Sequence, residues 1–508
     1  METQTHTRMT EVAVPLSVSS LEDYRKFLKI KALPQYRFVG HTAYVPAEYA
    51  ARLGANAEAG IDIPYEPRPF LYDYQRDIAA LAIRKRKFAA FAQCGLGKSN
   101  IFFEFARHVD KCLPPQRAIL IVSPLMVVDQ TIAESRRFYG DELPWEYVAA
   151  KDLPAWLHNG GRFGITNYEA MRSDLEQGRL GCLIIDESSA LKSHYGKWGT
   201  TILRLGRGLA WKFCATGTPA PNDRIEYANH AVFLDAFPNV NSFLARFFVN
   251  RGQTQNRWEL KAHAVGPFYR ALSHWCIFLE NPSVYGWKDH ATDIPPIHIH
   301  IHEVCLTEQQ RGLIQNATGQ LLVANVGGIG KRAELSGISK GQYKGRVIDT
   351  NKYTYIHALV DSWPDESTLI WCLYNEEQKR MEKEFPEAAS IAGNTPLETR
   401  KRLLREFQAG TRKVMISKAR VLGFGLNLQV ATRQIFSGLV DSYESFFQAV
   451  KRSNRIGSTL PLNVHIPVTE AEWPMVETVL RKAHRVQQDS DEQEKIFREN
   501  LSQEVRST

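Results

Sequence analysis

Short apolar runs punctuate the chain from about residue 70 to 235, and polar or helical stretches separate them. FAAFA, AILIVSP, FGITNY, CLIIDE and KFCATGTP are five such runs. A run of four to eight apolar residues bounded by polar sequence suits a strand buried on both faces. Strands that alternate with helical sequence predict a parallel sheet with helices on both sides. The same rhythm returns between about 345 and 468, in STLIWCLY, AASIAG, KVMISK, RQIFSG and NVHIPV. The expectation is therefore α/β, with two parallel-sheet lobes in tandem.

The flanks differ. Residues 1–66 predict a small mixed appendage, with a helical piece (SLEDYRKFLKI) and short aromatic stretches (YRFVG, TAYVP). Pro64, Pro67 and Pro69 mark a boundary. Lobe 1 is expected at 67–235 and lobe 2 at 301–472. An aromatic-rich connecting region at 236–300 lies between them. In 473–508, Val476, Val479, Leu480, Ala483 and Val486 share one helical face, and the polar end is expected to fray.

Composition narrows the class. The chain has 508 residues, 44 % hydrophobic and 23 % charged, as in an ordinary water-soluble protein of several domains. A net charge of +8 permits a polyanionic partner without requiring one. The seven cysteines form no C-x-x-C pair, which argues against a disulfide framework or zinc site. No secretion signal and no run of about 18 apolar residues is present, so a cytoplasmic location is expected.

The chemistry concentrates where FAAFA ends. Ala92-Gln-Cys-Gly95-Leu-Gly97-Lys98-Ser99 follows G-x-x-x-x-G-K-[ST], with alanine at the first glycine position. Gly95 and Gly97 let backbone amides turn toward phosphates, Lys98 reaches the outer phosphates, and Ser99 offers a hydroxyl to Mg²⁺. CLIIDE ends in Asp186 and Glu187. One acid would join the metal shell, and the other would orient and deprotonate a water. ATP and Mg²⁺ are the expected cofactors. In the second lobe, Arg452 and Arg455 stand one helical turn apart. Two further features invite a reading and fail it. Gly327-Gly328-Ile329-Gly330-Lys331 is followed by Arg332 where a hydroxyl is required, and reads as a loop. His298, His300 and His302 alternate onto one strand face without an acidic or cysteine partner, so no metal is expected there.

The motif order resembles the superfamily-2 helicase and translocase ATPases, specifically their SWI/SNF-like branch, over roughly residues 67–470. LYDYQRD resembles the family's adenine-reading motif, which implies Gln75. AQCGLGKS and DESSALKS stand where its phosphate loop and acidic box stand. LIVSPLMVV and ITNYEAM resemble motifs on the nucleic-acid backbone, implying Ser123, Pro124, Thr166 and Asn167. CATGTPAPND resembles the motif coupling hydrolysis to lobe movement, implying Thr216, Gly217 and Thr218. SKARVLGFGLNLQ is similar to the motif joining DNA contact to the ATP site, implying Gly425, with Ser417 and Lys418 at the DNA. IAGNTPLETRKRLLREFQAG adds Asn394 and Thr395. SFFQAVKRSNRIGS resembles the arginine-finger motif, implying catalytic roles for Gln448, Arg452 and Arg455. The set is also similar to helicase-like proteins of phages and prophages.

What the resemblance implies is RecA-like lobes with an ATP cleft between them and a DNA-dependent ATPase moving on duplex DNA by sequence-independent backbone contacts. A strand-separating helicase, an ATP-gated clamp that does not travel and an RNA-directed ATPase remain open alternatives.

Overall fold

A computed structural model describes residues 11–17, 20–53, 63–93, 95–192, 197–220, 223–252, 258–288, 294–318, 329–419, 421–422, 426–439, 443–455 and 458–505. The chain divides into two units, residues 1–289 with 489–508, and residues 290–488. No helix among the described residues is long and apolar enough to cross a membrane.

The strands are β1 (Glu11–Pro15), β2 (Arg37–Val39), β3 (Thr42–Pro46), β4 (Lys87–Ala92), β5 (Ala118–Ser123), β6 (Glu146–Tyr147), β7 (Phe163–Asn167), β8 (Leu180–Asp186), β9 (Trp211–Ala215), β10 (Phe248–Asn250), β11 (Trp258–Leu260), β12 (Cys276–Leu279), β13 (Ile297–Glu303), β14 (Gln342–Tyr343), β15 (Arg346–Val347), β16 (Thr368–Trp371), β17 (Ala389–Ile391), β18 (Val414–Ser417), β19 (Arg433–Phe436) and β20 (Leu462–Val468).

In the first unit the main sheet runs β12-β4-β9-β8-β5-β7-β6, with every pairing parallel. Each residue of β5, β7, β8 and β9 is buried, as expected for strands covered on both faces. The five apolar runs of the sequence are β4, β5, β7, β8 and β9. The aromatic-rich stretch supplies helices Val240–Phe247 and Val265–Ser273 and the strand β12, which pairs with β4. Phe237, Phe243, Phe247 and Phe268 pack there with ring centroids 5.2 to 6.0 Å apart.

The appendage is a three-stranded sheet, β1-β3-β2, under helix Leu21–Lys31, whose N-cap Ser20 accepts from Asp23 N. A buried ion pair ties it to helix Asp73–Lys85. Lys85, 2 % exposed, pairs with Glu48 at 2.5 Å, and Glu48 lies 3.0 Å from His274. Burial pushes the Glu48 carboxyl up, but Lys85 and His274 more than offset this and hold it well below the usual range. The basic run 84–87 is thus spent partly inside the protein, since Lys87 also pairs with Asp235.

In the second unit the sheet runs β13-β20-β19-β16-β18-β17, again all parallel. Two parallel-sheet α/β units in tandem are the RecA-like fold class expected from the sequence. Ile329–Ser339 is a helix, where the sequence reading placed a loop, and Gly327 and Gly328 lie outside the described residues. Helix Trp473–Val505 continues through the polar end of the chain. Gln493, Glu494 and Phe497 are buried, so these turns are docked against the first unit's residues and do not fray as expected.

The histidines of β13 stack against β20. His465 lies 4.8 Å from His300, 5.2 Å from His302 and 4.6 Å from Trp363, ring to ring. His302 Nε2 is 3.0 Å from His465 Nδ1, and Tyr355 OH is 3.1 Å from His302 Nδ1. Among the described residues no group of three or more His, Cys, Asp or Glu is arranged to hold a metal ion. Burial, then His300, His302 and Arg433, lower the pKa of His465 to about 3, against a weaker pull from Glu366. A depressed histidine contributes stability that is full above pH 6.5 and is lost as pH falls toward 3. Between pH 7.5 and 5 the second unit should lose about 2 kcal/mol through this group. Denaturant unfolding of the parent and His465→Leu chains at both pH values checks this. A pH slope as steep in the variant as in the parent would assign the effect elsewhere.

Candidate nucleotide and nucleic-acid site

The phosphate-loop candidate begins where β4 stops. Ala92 is the last residue of that strand and pairs with Leu279, so the position needs no glycine. The chain then turns through Gly95 (φ +95°) and Gly97 (φ +68°) into helix Lys98–Cys112; Cys94 lies outside the described residues. Both glycines occupy the left-handed region, which side chains disfavour. At Gly97 a Cβ would also lie 2.2 Å from Gln75 Nε2. Gln75 is seated on the loop: Nε2 donates to Leu96 O at 3.2 Å, and Oε1 accepts from Tyr72 N at 3.2 Å. Lys98 Nζ donates to Ala92 O at 2.9 Å and Gln93 O at 3.3 Å, which folds its ammonium across the loop. Ser99 occupies the first turn of the helix.

Asp186 ends β8 on the same sheet. Its Oδ2 accepts from Ser123 Oγ at 2.8 Å and its Oδ1 from Glu187 N at 3.0 Å. Burial and Glu187 raise its pKa, while the Ser123 hydroxyl and the Lys98 charge oppose them. The loop follows β4 and the acid ends β8, two strands of the same sheet. Glu187 is 8 % exposed and has φ +52°, a left-handed backbone at a non-glycine residue. Such strain persists only where its surroundings enforce it, and it concentrates at functional sites. Here Tyr168 OH donates to the carbonyls of Asp186 (2.5 Å) and Glu187 (3.1 Å). Thr216 Oγ1 donates to Glu187 Oε2 at 3.2 Å and accepts from Thr218 N at 3.2 Å. Gly217 lies between them in the turn after β9.

The donor set fits magnesium. A hydroxyl at Ser99 and a carboxylate at Asp186 are hard oxygen ligands, and Mg²⁺ is usually held by one or two protein oxygens together with substrate phosphates and water.

The residues expected at a nucleic-acid backbone divide in two. Ser123, Thr166 and Ser417 are fully buried and Asn167 nearly so. Thr166 Oγ1 donates to Val148 O at 2.7 Å, Ser417 Oγ donates to Ile391 O at 2.7 Å, and Asn167 Oδ1 caps Ala170 N at 3.0 Å. These four side chains bond within the strand ends of their own sheets. Asn394 is exposed, while Pro124, Thr395 and Lys418 are half-buried. Thr395 closes its turn by accepting from Ala392 N at 2.9 Å, and Lys418 bonds Asn375 Oδ1.

In the second unit, Gln448 lies on helix Tyr443–Val450. Arg452 and Arg455 lie in the turns after it, not on a common helical face as their spacing suggested. The helix stops at Val450, and the turns that follow are tied by side chains. Asn454 Nδ2 donates to Pro295 O at 2.8 Å, and Ser458 Oγ donates to Ser453 O at 2.9 Å. Such side chains compete with helix propagation. Arg452 is 4 % exposed, and Arg455 Nη1 donates to Leu426 O at 3.2 Å. Gly425 lies outside the described residues.

Residues 351–457 match the family described as helicase conserved C-terminal domain. The match lies within the second unit. The matched stretch spans β16 to β19 and the arginine turns. Two solved structures are similar to the chain. The Sulfolobus solfataricus SWI2/SNF2 ATPase core in complex with dsDNA is 18 % identical with a TM-score of 0.38, and the match covers 81 % of this chain and 90 % of that one. The Pyrococcus furiosus Hef helicase domain is 13 % identical with a TM-score of 0.44, over 78 % of this chain and 95 % of that one. No curated protein matches the chain by sequence.

Sequence reasoning missed Tyr168 and the inward role of Ser123. Neither has a spacing signal, because each acts through a backbone carbonyl or a carboxylate brought near by strand order.

Proposed function

We propose that the chain is a DNA-dependent ATP hydrolase of the SWI/SNF-like kind, which translocates on duplex DNA. The observation that carries this reading is the buried, hydrogen-bonded cluster of Ser123, Asp186, Glu187 and Thr216 at the strand ends of the sheet whose strand β4 runs into the glycine turn and Lys98. In this reading the loop amides from Gly95 to Ser99 cradle the phosphates, and Lys98 leaves its loop carbonyls for the outer phosphate oxygens. Asp186 and Ser99 hold magnesium, which supplies charge neutralisation on the phosphates. Glu187 accepts a proton from the attacking water, oriented by the hydrogen bond from Thr216. Thr216, Gly217, Thr218 and Gly425 then pass the change at the acid to the rest of the chain. Arg452 and Arg455, assisted by Gln448, supply positive charge to the phosphoryl group in the transition state. DNA contacts fall to Asn394, Thr395, Lys418, Pro124 and the backbone amides at the strand ends, and should weaken with salt.

The test is ATP turnover with and without duplex DNA. Duplex should stimulate turnover at least tenfold, and Lys98→Ala should abolish it. Displacement of a triplex strand in front of the protein should then require ATP. Stimulation without displacement would leave a stationary clamp. Stimulation by RNA alone would overturn the DNA assignment, and separation of a labelled fork would make the protein an unwinding helicase.

A further inference from the structure

Gln93 joins β4 to the glycine turn, and three of its groups are engaged. Its backbone N donates to Leu279 O at 2.9 Å, its Nε2 donates to Glu280 Oε1, and its carbonyl accepts from Lys98 Nζ. The entry to the loop is therefore fixed by the end of β12. That end is itself held from the far terminus of the chain. Glu494 Oε1 accepts from Glu280 N at 2.8 Å and Asn281 N at 3.3 Å.

An aromatic path runs beside this polar one. The Phe497 ring lies 5.1 Å from Phe278 on β12, and Phe278 lies 5.2 Å from Phe91 on β4. Glu494 is 7 % exposed and Phe497 3 % exposed. A carboxylate is costly to bury unless its hydrogen bonds are made. Here the two backbone N–H groups after β12 supply them.

We propose that Glu494 is a positioning residue for the phosphate loop: residues 489–505 seat β12, and β12 sets the geometry of Gln93 and hence the place from which Lys98 works. The proposal rests on the reading of 92–99 as that loop. It predicts that the last turns of the chain tune nucleotide affinity without touching nucleotide.

The experiment measures Mg–ADP binding by calorimetry, and kcat and KM for ATP, on full-length chains. Glu494→Ala should raise the Kd for Mg–ADP and the KM for ATP about tenfold, with kcat changed less than threefold and thermal stability close to the parent's. Glu494→Gln keeps an oxygen acceptor for both amides and should bind within twofold of the parent. Gln93→Ala cuts the link from the loop side and should raise Kd by a similar factor, with the double variant no worse than either single one. Parent-like binding by Glu494→Ala, equal loss in the Ala and Gln variants, or additive losses in the double variant would each overturn the proposal. If Glu494→Ala does not fold, parent-like binding by Gln93→Ala overturns it and a tenfold loss supports it. Unimpaired Mg–ADP binding by Lys98→Ala would instead sink the phosphate-loop reading itself.

Discussion

Glu187→Gln should cut ATP turnover by about 10²–10⁴-fold, the usual worth of a positioned general base, while ATP binding stays within a few-fold of the parent. Glutamine has nearly the shape of glutamate and keeps an oxygen to accept the 3.2 Å bond from Thr216. It is no worse suited to a φ of +52°. What it loses is the capacity to take a proton. Single-turnover hydrolysis, paired with nucleotide binding on the same preparation, separates these effects. A variant that neither binds nor turns over would show that the carboxylate holds the turn after β8 together. A variant with parent turnover would remove Glu187 from the chemistry.

Arg452→Ala should lower turnover by about 10³–10⁵-fold, the range for an arginine that stabilises phosphoryl transfer. The residue is nearly buried, so a structural contribution has to be separated from a chemical one. Its backbone carbonyl accepts from Leu428 N at 3.0 Å, and that bond survives any side-chain change. Arg452→Lys keeps the charge but not the planar fork, so it should remain far below the parent. Turnover above a tenth of the parent's in both variants, at unchanged thermal stability, would exclude the finger role and pass it to Arg455. Loss of stability in Arg452→Ala alone, with full activity in Arg452→Lys, would make the residue a packing element.

Both sheets were largely legible, because their central strands are buried on both faces and therefore appear as unbroken apolar runs such as CLIID and VMIS. β12 was not legible. Its four residues, CIFL, sit among many other aromatic and aliphatic residues, and nothing local says that they pair with β4. The docking of the C-terminal turns was hidden for the opposite reason. Gln493 and Glu494 are polar, so no apolar stripe betrays their burial. The glycine turn and the acid pair announce themselves by composition. The direction of the Ser123, Thr166 and Ser417 hydroxyls does not, since at a strand's end each can face its own sheet or the outside. Arg452 and Arg455 misled because three-residue spacing suits a helix, while the helix here stops at Val450.

The pairing of β12 with β4 bears on how the protein is made. Ala92 and Leu279 are neighbours in a parallel ladder, although helices and five other strands of the same sheet separate them along the chain. Residues 489–505, which cap that ladder, leave the ribosome only after all of the second unit has been synthesised. The first unit is thus started before the second and completed after it, and its β4 edge waits uncovered until β12 has been made. Unpaired parallel strands are slow to find distant partners and prone to aggregate meanwhile, so a host that translates the message slowly or supplies ample chaperone should yield more folded protein than a fast one.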